Sequence, residues 1–350
     1  MAGGFGKRFW PIGRRSRPKQ LLPIGGGRPL LEDTLARIAA LIPPERQWLA
    51  IGRDVEAPIR RLLGSKPAQT MLVEPMGRNT APCVAWAALK IQRRQPDGIL
   101  AVMPADQRFR REAVYRRALE RALAVADRRK KIVIFGLTAT RVETGYGYIE
   151  REPEGWDPKR GGAVRRFVEK PDDAAAQRLI DEGCLWNSGH FVFRADVFIE
   201  QLKQTAPEII LPLLEIAECM DTPKEADALA EAFSDLPALS VDHALLERSR
   251  EIWCLPLADA GWIDFGSWSA VYDALPKDRD ANASEGIVVT HDARGNLIVN
   301  ETDQAVALVG VENQMILVTR DAILVGPKSR DQDIKSLVDQ LARRGLTRLE

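Results

Sequence analysis

Near its start the chain carries Gly3-Gly4-Phe5-Gly6-Lys7-Arg8-Phe9-Trp10-Pro11, followed shortly by Arg17-Pro18-Lys19. Glycines at positions 3, 4 and 6 let a backbone approach a ligand and gather several N–H groups in one concavity. Arg8 and Lys19 add cationic donors beside it. That combination suits the phosphate tail of a nucleoside triphosphate. The spacing is neither a Walker A loop nor a G-x-G-x-x-G fingerprint. Read without their neighbours, the glycines fit a disordered terminus equally well.

Two aspartates come next. Asp106 follows the apolar run 98–103. It therefore sits where a buried strand ends, and such sheets bind ligands at the carboxyl ends of their strands. Asp264 lies in a Gly- and Trp-rich turn much further along. Each alone fits a turn cap. Together they also fit a shared Mg²⁺, which takes one or two carboxylates and completes its shell with phosphate oxygens and water.

Glu169-Lys170-Pro171 closes another strand. A lysine there can neutralise a sugar phosphate, and a glutamate can accept from sugar hydroxyls. A surface ion pair is the commoner meaning of adjacent Glu and Lys. Asn187, with Gly145 and Gly147, offers amide and backbone contacts to a sugar, while Trp186 reads as packing. Arg78-Asn79-Thr80 opens a helix with Asn79 or Thr80 as its cap. No Ser-His or Cys-His arrangement accompanies these groups, so covalent catalysis is not indicated.

The elements that must position them follow from periodicity. Runs 47–52, 98–103 and 131–136 read as buried strands, with amphipathic helices at 80–93 and 113–129 between them. The alternation implies an α/β domain with a mostly parallel sheet. Strands at 146–149, 164–168 and 190–193 are expected in a sheet lying over the first region. Segment 208–235 reads as helical, broken by Pro212 and Pro223. The polar stretch 276–284 reads as a linker. Beyond it come short strands only, at 286–290, 296–299, 305–311, 314–319 and 322–325, then a helix at 331–344. The expected domains are 1–275, a linker at 276–285, and a β-roll or β-solenoid at 286–350.

At 350 residues the chain is long enough for two domains, and its 45% apolar content can fill real cores. Fifty basic against 49 acidic residues leave a net charge of +1, which gives no basic field for nucleic acid and argues against disorder. No apolar run approaches a membrane span. No secretory signal is legible, and Cys83, Cys184, Cys219 and Cys254 form no C-x-x-C pair. A reduced, cytoplasmic chain with core thiols is expected.

The spaced set G-G-x-G-x-R-x-x-P followed by P-K resembles the signature of sugar-nucleotide pyrophosphorylases, and within them mannose-1-phosphate guanylyltransferases. Glu74-Pro75-Met76-Gly77-Arg78-Asn79-Thr80-Ala81-Pro82, Pro104-Ala105-Asp106 and Thr144-Gly145-Tyr146-Gly147-Tyr148-Ile149 follow in the family's order. So do Phe167-Val168-Glu169-Lys170-Pro171, Leu185-Trp186-Asn187-Ser188-Gly189, Ser240-Val241-Asp242 and Gly261-Trp262-Ile263-Asp264-Phe265-Gly266. The resemblance implies a Rossmann-like, GT-A-like α/β nucleotidyltransferase domain. Its mixed sheet would carry helices on both faces, ahead of a small left-handed β-helix-like C-terminal domain. It implies Mg²⁺ on Asp106 and Asp264, and phosphate binding by Gly3, Gly4, Gly6, Arg8 and Lys19. Arg78, Asn79 and Thr80 would recognise the nucleoside. Gly145, Gly147, Glu169, Lys170 and Asn187 would bind the sugar phosphate. The substrates implied are GTP and mannose 1-phosphate, with GDP-mannose and pyrophosphate as products, and the C-terminal strands offer a surface for a homodimer. A pyrophosphorylase for another sugar 1-phosphate, or a non-catalytic sugar-nucleotide-binding subunit, are the competing readings.

The chain departs from the pattern in places. The resemblance leads one to expect a buried strand before the glycine loop, whereas only Met1-Ala2 precede Gly3. A central strand is thus expected to be mostly lacking, which would leave sheet edges open. Phe5, Lys7, Gln107 and His190 stand where other residues are usual in the family. No isomerase domain of the kind found in bifunctional relatives is expected after Glu350.

Overall fold

A computed structural model describes residues 1–3, 6–25, 27–64 and 70–349. The chain runs through α1 (Leu30–Ile38), β1 (Trp48–Gly52), α2 (Arg53–Leu63), β2 (Thr70–Glu74), α3 (Thr80–Arg94), β3 (Ile99–Val102), β4 (Gln107–Phe109), α4 (Glu112–Arg129) and β5 (Ile132–Thr138). Next come β6 (Tyr148–Arg151), β7 (Gly162–Val168), α5 (Asp173–Asp181), β8 (Leu185–Arg194), α6 (Ala195–Thr205), α7 (Pro207–Glu215) and α8 (Glu225–Asp235). β9 (Ile252–Pro256), β10 (Trp262–Asp264) and α9 (Trp268–Ala274) close the first domain.

Six strands form the central sheet, in the order β3-β8-β5-β9-β7-β6. Apolar side chains alternate across it. Ile132 and Ile134 of β5 pack with α3, α6 and α7 on one face, while Val133, Phe135 and Leu137 pack with α4 on the other. In α4 the buried positions Tyr115, Ala118, Leu119, Ala122 and Ala126 recur at helical spacing, so one stripe meets the sheet. Helices therefore cover both faces, as the sequence implies.

Three expectations are corrected. The sheet is not mostly parallel but mixed, as the resemblance implies; among the described residues β5 and β9 are its one parallel pair. The strands expected in an overlying sheet belong to this same one. β8 pairs with β6 through its first residues and with β3 through its last, keeping β5 on its other side. It threads antiparallel between strands that a crossover topology would have made parallel neighbours. Pro212 does not break its helix, since it lies inside α7 where Pro207 opens the first turn. Its ring removes one helical bond and crowds the Glu208 carbonyl, yet the helix continues to Glu215.

β1 and β2 make a separate parallel pair. Met1 and Ala2 lie against β1 and the residues just after β3. The Ala2 N–H donates to the Ala50 carbonyl at 2.8 Å, the terminal ammonium donates to the Met103 carbonyl at 2.8 Å, and the Ala105 N–H donates to Met1 at 3.0 Å. These contacts tie the first two residues to β1 on one side and to the segment after β3 on the other. Burial differs along the sheet: β5 is buried from Ile132 to Leu137, whereas in β3 Leu100 alone is fully buried.

The C-terminal region stacks parallel coils. β11 (Ala283–Glu285), β13 (Leu297–Asn300) and β15 (Gln314–Val318) pair in parallel, as do β12 (Val288–His291) and β14 (Val306–Val309). β16 (Ile323–Pro327) adds antiparallel to β15. The segment read as a linker therefore ends inside the sheet, because residues 283–285 are its first strand. Asn282 Oδ1 accepts from the Asn296 backbone and side chain, and Asn296 Oδ1 accepts from Gln314 N–H, so an amide ladder joins successive coils. α10 (Ile334–Arg343) returns to the first domain. Its Ile334 and Val338 share one core with Phe9, Trp10, Ile12, Trp268 and Leu317. Among the described residues no helix is long and apolar enough to cross a membrane.

Candidate active site

Gly6 has φ +69°, and a Cβ there would stand 2.7 Å from Lys19 Cβ. Glycine is what lets this loop lie against the Lys19 turn. Phe9 is buried immediately after it, under the Lys19 ammonium, which lies 5.2 Å from the ring centroid. At Gly3 a Cβ would meet no protein atom within 4 Å. Gly4 lies outside the described residues.

The two aspartates converge through one short pairing. β10 runs antiparallel to β4, with Asp264 opposite Gln107, the residue after Asp106. Cross-strand neighbours lie about 5 Å apart, so two distant segments deliver their carboxyls to one place. Lys19 Nζ contacts Asp106 Oδ2 at 2.9 Å. Burial acts to raise the Asp106 carboxyl, but Lys19, by charge and by hydrogen bond, outweighs it and holds it below the usual carboxylate range. Asp264 differs. Burial pushes its carboxyl up to about 6; Lys19 and Arg8 oppose this and the Asp106 charge adds to it. Arg8 Nη1 donates to the Gly266 carbonyl at 3.1 Å. Among the described residues no group of three or more His, Cys, Asp or Glu forms a closed metal cage. Two facing carboxylates, one resisting ionisation, are an all-oxygen pair suited to a hard cation that keeps open positions.

Gly3, Gly6, Arg8, Lys19, Asn79, Thr80, Asp106 and Asp264 all line one cavity of about 780 Å³. Asn79 caps α3, its Oδ1 accepting from Thr80 N–H at 2.9 Å, and Thr80 Oγ1 accepts from Val241 N–H at 2.9 Å. Arg78 lies outside the lining. Its guanidinium donates to the carbonyls of Phe233, at 2.7 Å, and Ser234, where α8 ends. It holds helix carbonyls that have no partner within the helix.

Gly145, Gly147, Glu169, Lys170 and Asn187 gather beside this cavity rather than on its lining. Glu169 is ion-paired with Lys170, which adopts φ 46°. A Cβ on Gly147 would stand 2.4 Å from the Phe167 ring and 2.7 Å from Glu169 Oε2. Asn187 Nδ2 donates to Asp242 Oδ1 at 3.2 Å. Burial, and then the Glu169 charge, push the Asp242 carboxyl up to about 6. Tyr146 bridges the two groups: its ring meets Trp186 and Trp262 edge-on, and burial, with Asp264 next, raises its hydroxyl. Sequence reasoning gave no role to Asp242, although it quoted that block. It missed Glu74, which lines the cavity and whose carboxyl burial raises. It also missed Lys335 from α10. Glu74 opens the quoted 74–82 block and so had a local signal, whereas Lys335 has none and reaches the site only through packing.

A larger cavity of about 960 Å³ opens around Arg151, Arg165 and Arg166. Glu150 and Glu182 pair with two of these arginines, and no candidate residue lines it. Chemistry, not size, selects the first cavity.

A glycine loop, flanking cations and paired carboxylates at strand ends of an α/β sheet define a site for handling nucleoside phosphates. The Nucleotidyl transferase family model matches residues 1–281, and the chain belongs to that family of enzymes. The model of the MannoseP isomerase/GMP-like beta-helix domain matches residues 286–341. Mannose-1-phosphate guanylyltransferase 2 of Escherichia coli O157:H7 is 35% identical over 357 residues, covering 97% of this chain and 72% of that relative. Xanthan biosynthesis protein XanB of Xanthomonas campestris pv. campestris is 38% identical over 357 residues, covering 99% and 73%. The crystal structure of mannose-1-phosphate geranyltransferase from Thermus thermophilus superposes with a TM-score of 0.87 at 33% identity, covering 98% of both chains.

Proposed function

We propose that this nucleotidyltransferase is a mannose-1-phosphate guanylyltransferase, joining GTP and mannose 1-phosphate into GDP-mannose with release of pyrophosphate. The observation that carries the reading is the convergence of Asp106 and Asp264 with Arg8, Lys19 and the glycine turn on one cavity. A phosphate oxygen of the sugar phosphate attacks the α-phosphorus of GTP. The bond to the bridging oxygen breaks in line, and pyrophosphate leaves with that electron pair. The nucleophile is already an anion, so no general base is required.

The protein's tasks are alignment and charge compensation. Arg8 and the loop N–H groups hold the departing phosphates. Lys19 keeps Asp106 ionised. Lys170 receives the incoming sugar phosphate, while Glu169 and Asn187 take sugar hydroxyls, with Gly145 and Gly147 leaving room for the ring. Asn79 and Thr80 border the nucleoside end. Glu74 at that end carries two acceptor oxygens, which match the adjacent N–H donors of a guanine edge. Asp106 and Asp264 would hold a divalent cation, proposed as Mg²⁺. When bound, it neutralises the phosphate oxygens that face them.

The test is pyrophosphate release with GTP or ATP against mannose 1-phosphate or glucose 1-phosphate, with and without Mg²⁺. Preference for GTP with mannose 1-phosphate supports the reading. Faster turnover with another pair moves the assignment to that pyrophosphorylase. Tight GDP-mannose binding with no turnover points to a non-catalytic subunit.

A further inference from the structure

The last helix of the C-terminal domain lies on the turn that follows the glycine loop. Ile334 and Val338, one turn apart on α10, are buried with Phe9, Trp10 and Ile12. Asp339 takes the Lys7 ammonium at 2.6 Å. Trp10 Nε1 donates to the Leu349 carbonyl at 2.6 Å. The loop that faces the nucleotide thus rests on the C-terminal helix. Lys335 lies on the same helix, four residues before Asp339, and lines the cavity with Gly3, Gly6, Lys7 and Arg8.

Cations in that cavity are mostly engaged. Lys19 is held by Asp106, Lys7 by Asp339, and Arg8 by the Gly266 carbonyl. Among the described residues Lys335 makes no ion pair within 4 Å and no side-chain hydrogen bond, its charge being felt at longer range by Asp339. An ammonium is a compact charge on a flexible stem and reaches phosphate without a fixed geometry. We propose that Lys335 binds the terminal phosphates of the nucleotide, which leave as pyrophosphate, so that the C-terminal domain completes the active site. The Lys7–Asp339 pair positions the loop beside it. This deepens the nucleotidyl-transfer reading and rests on it.

The experiment uses the full chain and two readouts. Titration calorimetry with inorganic pyrophosphate and MgCl₂ compares the wild type with Lys335→Gln, Lys335→Arg and the remote charge control Lys203→Gln. Steady-state assays in both directions give KM for GTP, pyrophosphate and GDP-mannose. Loss of one charge-assisted contact predicts that Lys335→Gln weakens pyrophosphate binding and raises the pyrophosphate and GTP KM roughly tenfold. Lys335→Arg recovers most of this, and Lys203→Gln changes nothing. GDP-mannose, which lacks the departing phosphates, keeps its KM, and the melting temperature is unchanged. Unaltered pyrophosphate affinity in Lys335→Gln overturns the proposal. So does an equal rise in the GDP-mannose KM, or the absence of pyrophosphate binding by the wild type. If turnover fails while the calorimetric difference persists, the substrate assignment falls and the Lys335 site stands.

Discussion

The proposed nucleotide half and the proposed sugar half of the site are built by different means. The sugar half rests on strands of the central sheet: Gly147 precedes β6, Glu169 follows β7, and Asn187 lies within β8. Backbone pairing fixes these residues, and neighbouring side chains fill the remaining space. Among the described residues, the nucleotide half is held mainly by contacts between segments rather than by strand pairing. Residues 1–3 and 6–19 are held by the hydrogen bonds of Met1 and Ala2, by the Lys19–Asp106 contact, and by α10 from the other domain. One half is over-determined by the sheet. The other depends on tertiary tethers, which leaves it easier to loosen and better placed to respond to the C-terminal domain.

The largest effect is expected where the halves meet. Asp264→Asn and Asp106→Asn should each lower turnover by about 10²–10³-fold or more, the scale of losing a preorganised charge at the reacting phosphate. Melting temperature and far-UV circular dichroism should stay near wild type. Normal pyrophosphate release from a well-folded variant would break the idea that both halves share one carboxylate pair.

Glycine substitutions sharpen the contrast next. Gly147→Ala drives a methyl into Phe167 and Glu169. Overpacking of this kind costs about 1–3 kcal/mol, so the melting temperature should drop and the mannose 1-phosphate KM rise. Gly6→Ala also meets a neighbour, Lys19 Cβ, and forces a left-handed residue at about 1–2 kcal/mol. There the loop can shift, so the GTP KM should rise with less loss of thermal stability. Equal melting losses would remove the distinction between rigid and tethered halves.

A pH effect belongs to the sugar half. His190 of β8 is buried, and burial, with Arg37 next, lowers its pKa from 6.5 to about 3. The native imidazole stays neutral while the unfolded one takes a proton, so the unfolded state binds more protons and stability falls as pH drops. The slope is up to about 1.4 kcal/mol per pH unit between roughly 6.5 and 3. Its Nε2 also lacks a hydrogen-bond partner. His190→Met should flatten the acid limb of a denaturation series in that window, relative to wild type. Parallel limbs would place the acid sensitivity elsewhere.

The smallest effect is expected at the tether. Lys7 and Asp339 are each more than a third exposed in their side chains. Asp339→Asn should change the GTP KM no more than about twofold, and the difference should vanish in high salt. A large, salt-independent change would mean that the loop has no other support, contrary to the shared core around Phe9 and Trp10.

Much of the architecture was legible in the chain itself. Apolar runs at 131–136 and 98–103 became β5 and β3, and the stripe at 113–129 became α4; β5 is buried on both faces, while β3 is only partly covered. The threading of β8 was not legible. A short apolar strand reads the same whether it pairs in parallel or antiparallel, and only its neighbours decide. Arg78 shows the limit for sites. Its block was read as nucleoside recognition, yet the side chain is held by the carbonyl end of α8, and nothing local in the sequence announces that helix as its partner.

The proposed chemistry was legible in residue types and their order: glycines where a backbone would approach phosphate, cations beside them, carboxylates at strand ends. Those choices are local, because each follows from what one residue can do. Tertiary structure decided which groups meet. The β4–β10 pairing set Asp264 beside Asp106, and the return of α10 set Lys335 by the glycine loop. Both depend on contacts between segments far apart in sequence, and such contacts are fixed by the packing of whole elements rather than by any short stretch of chain.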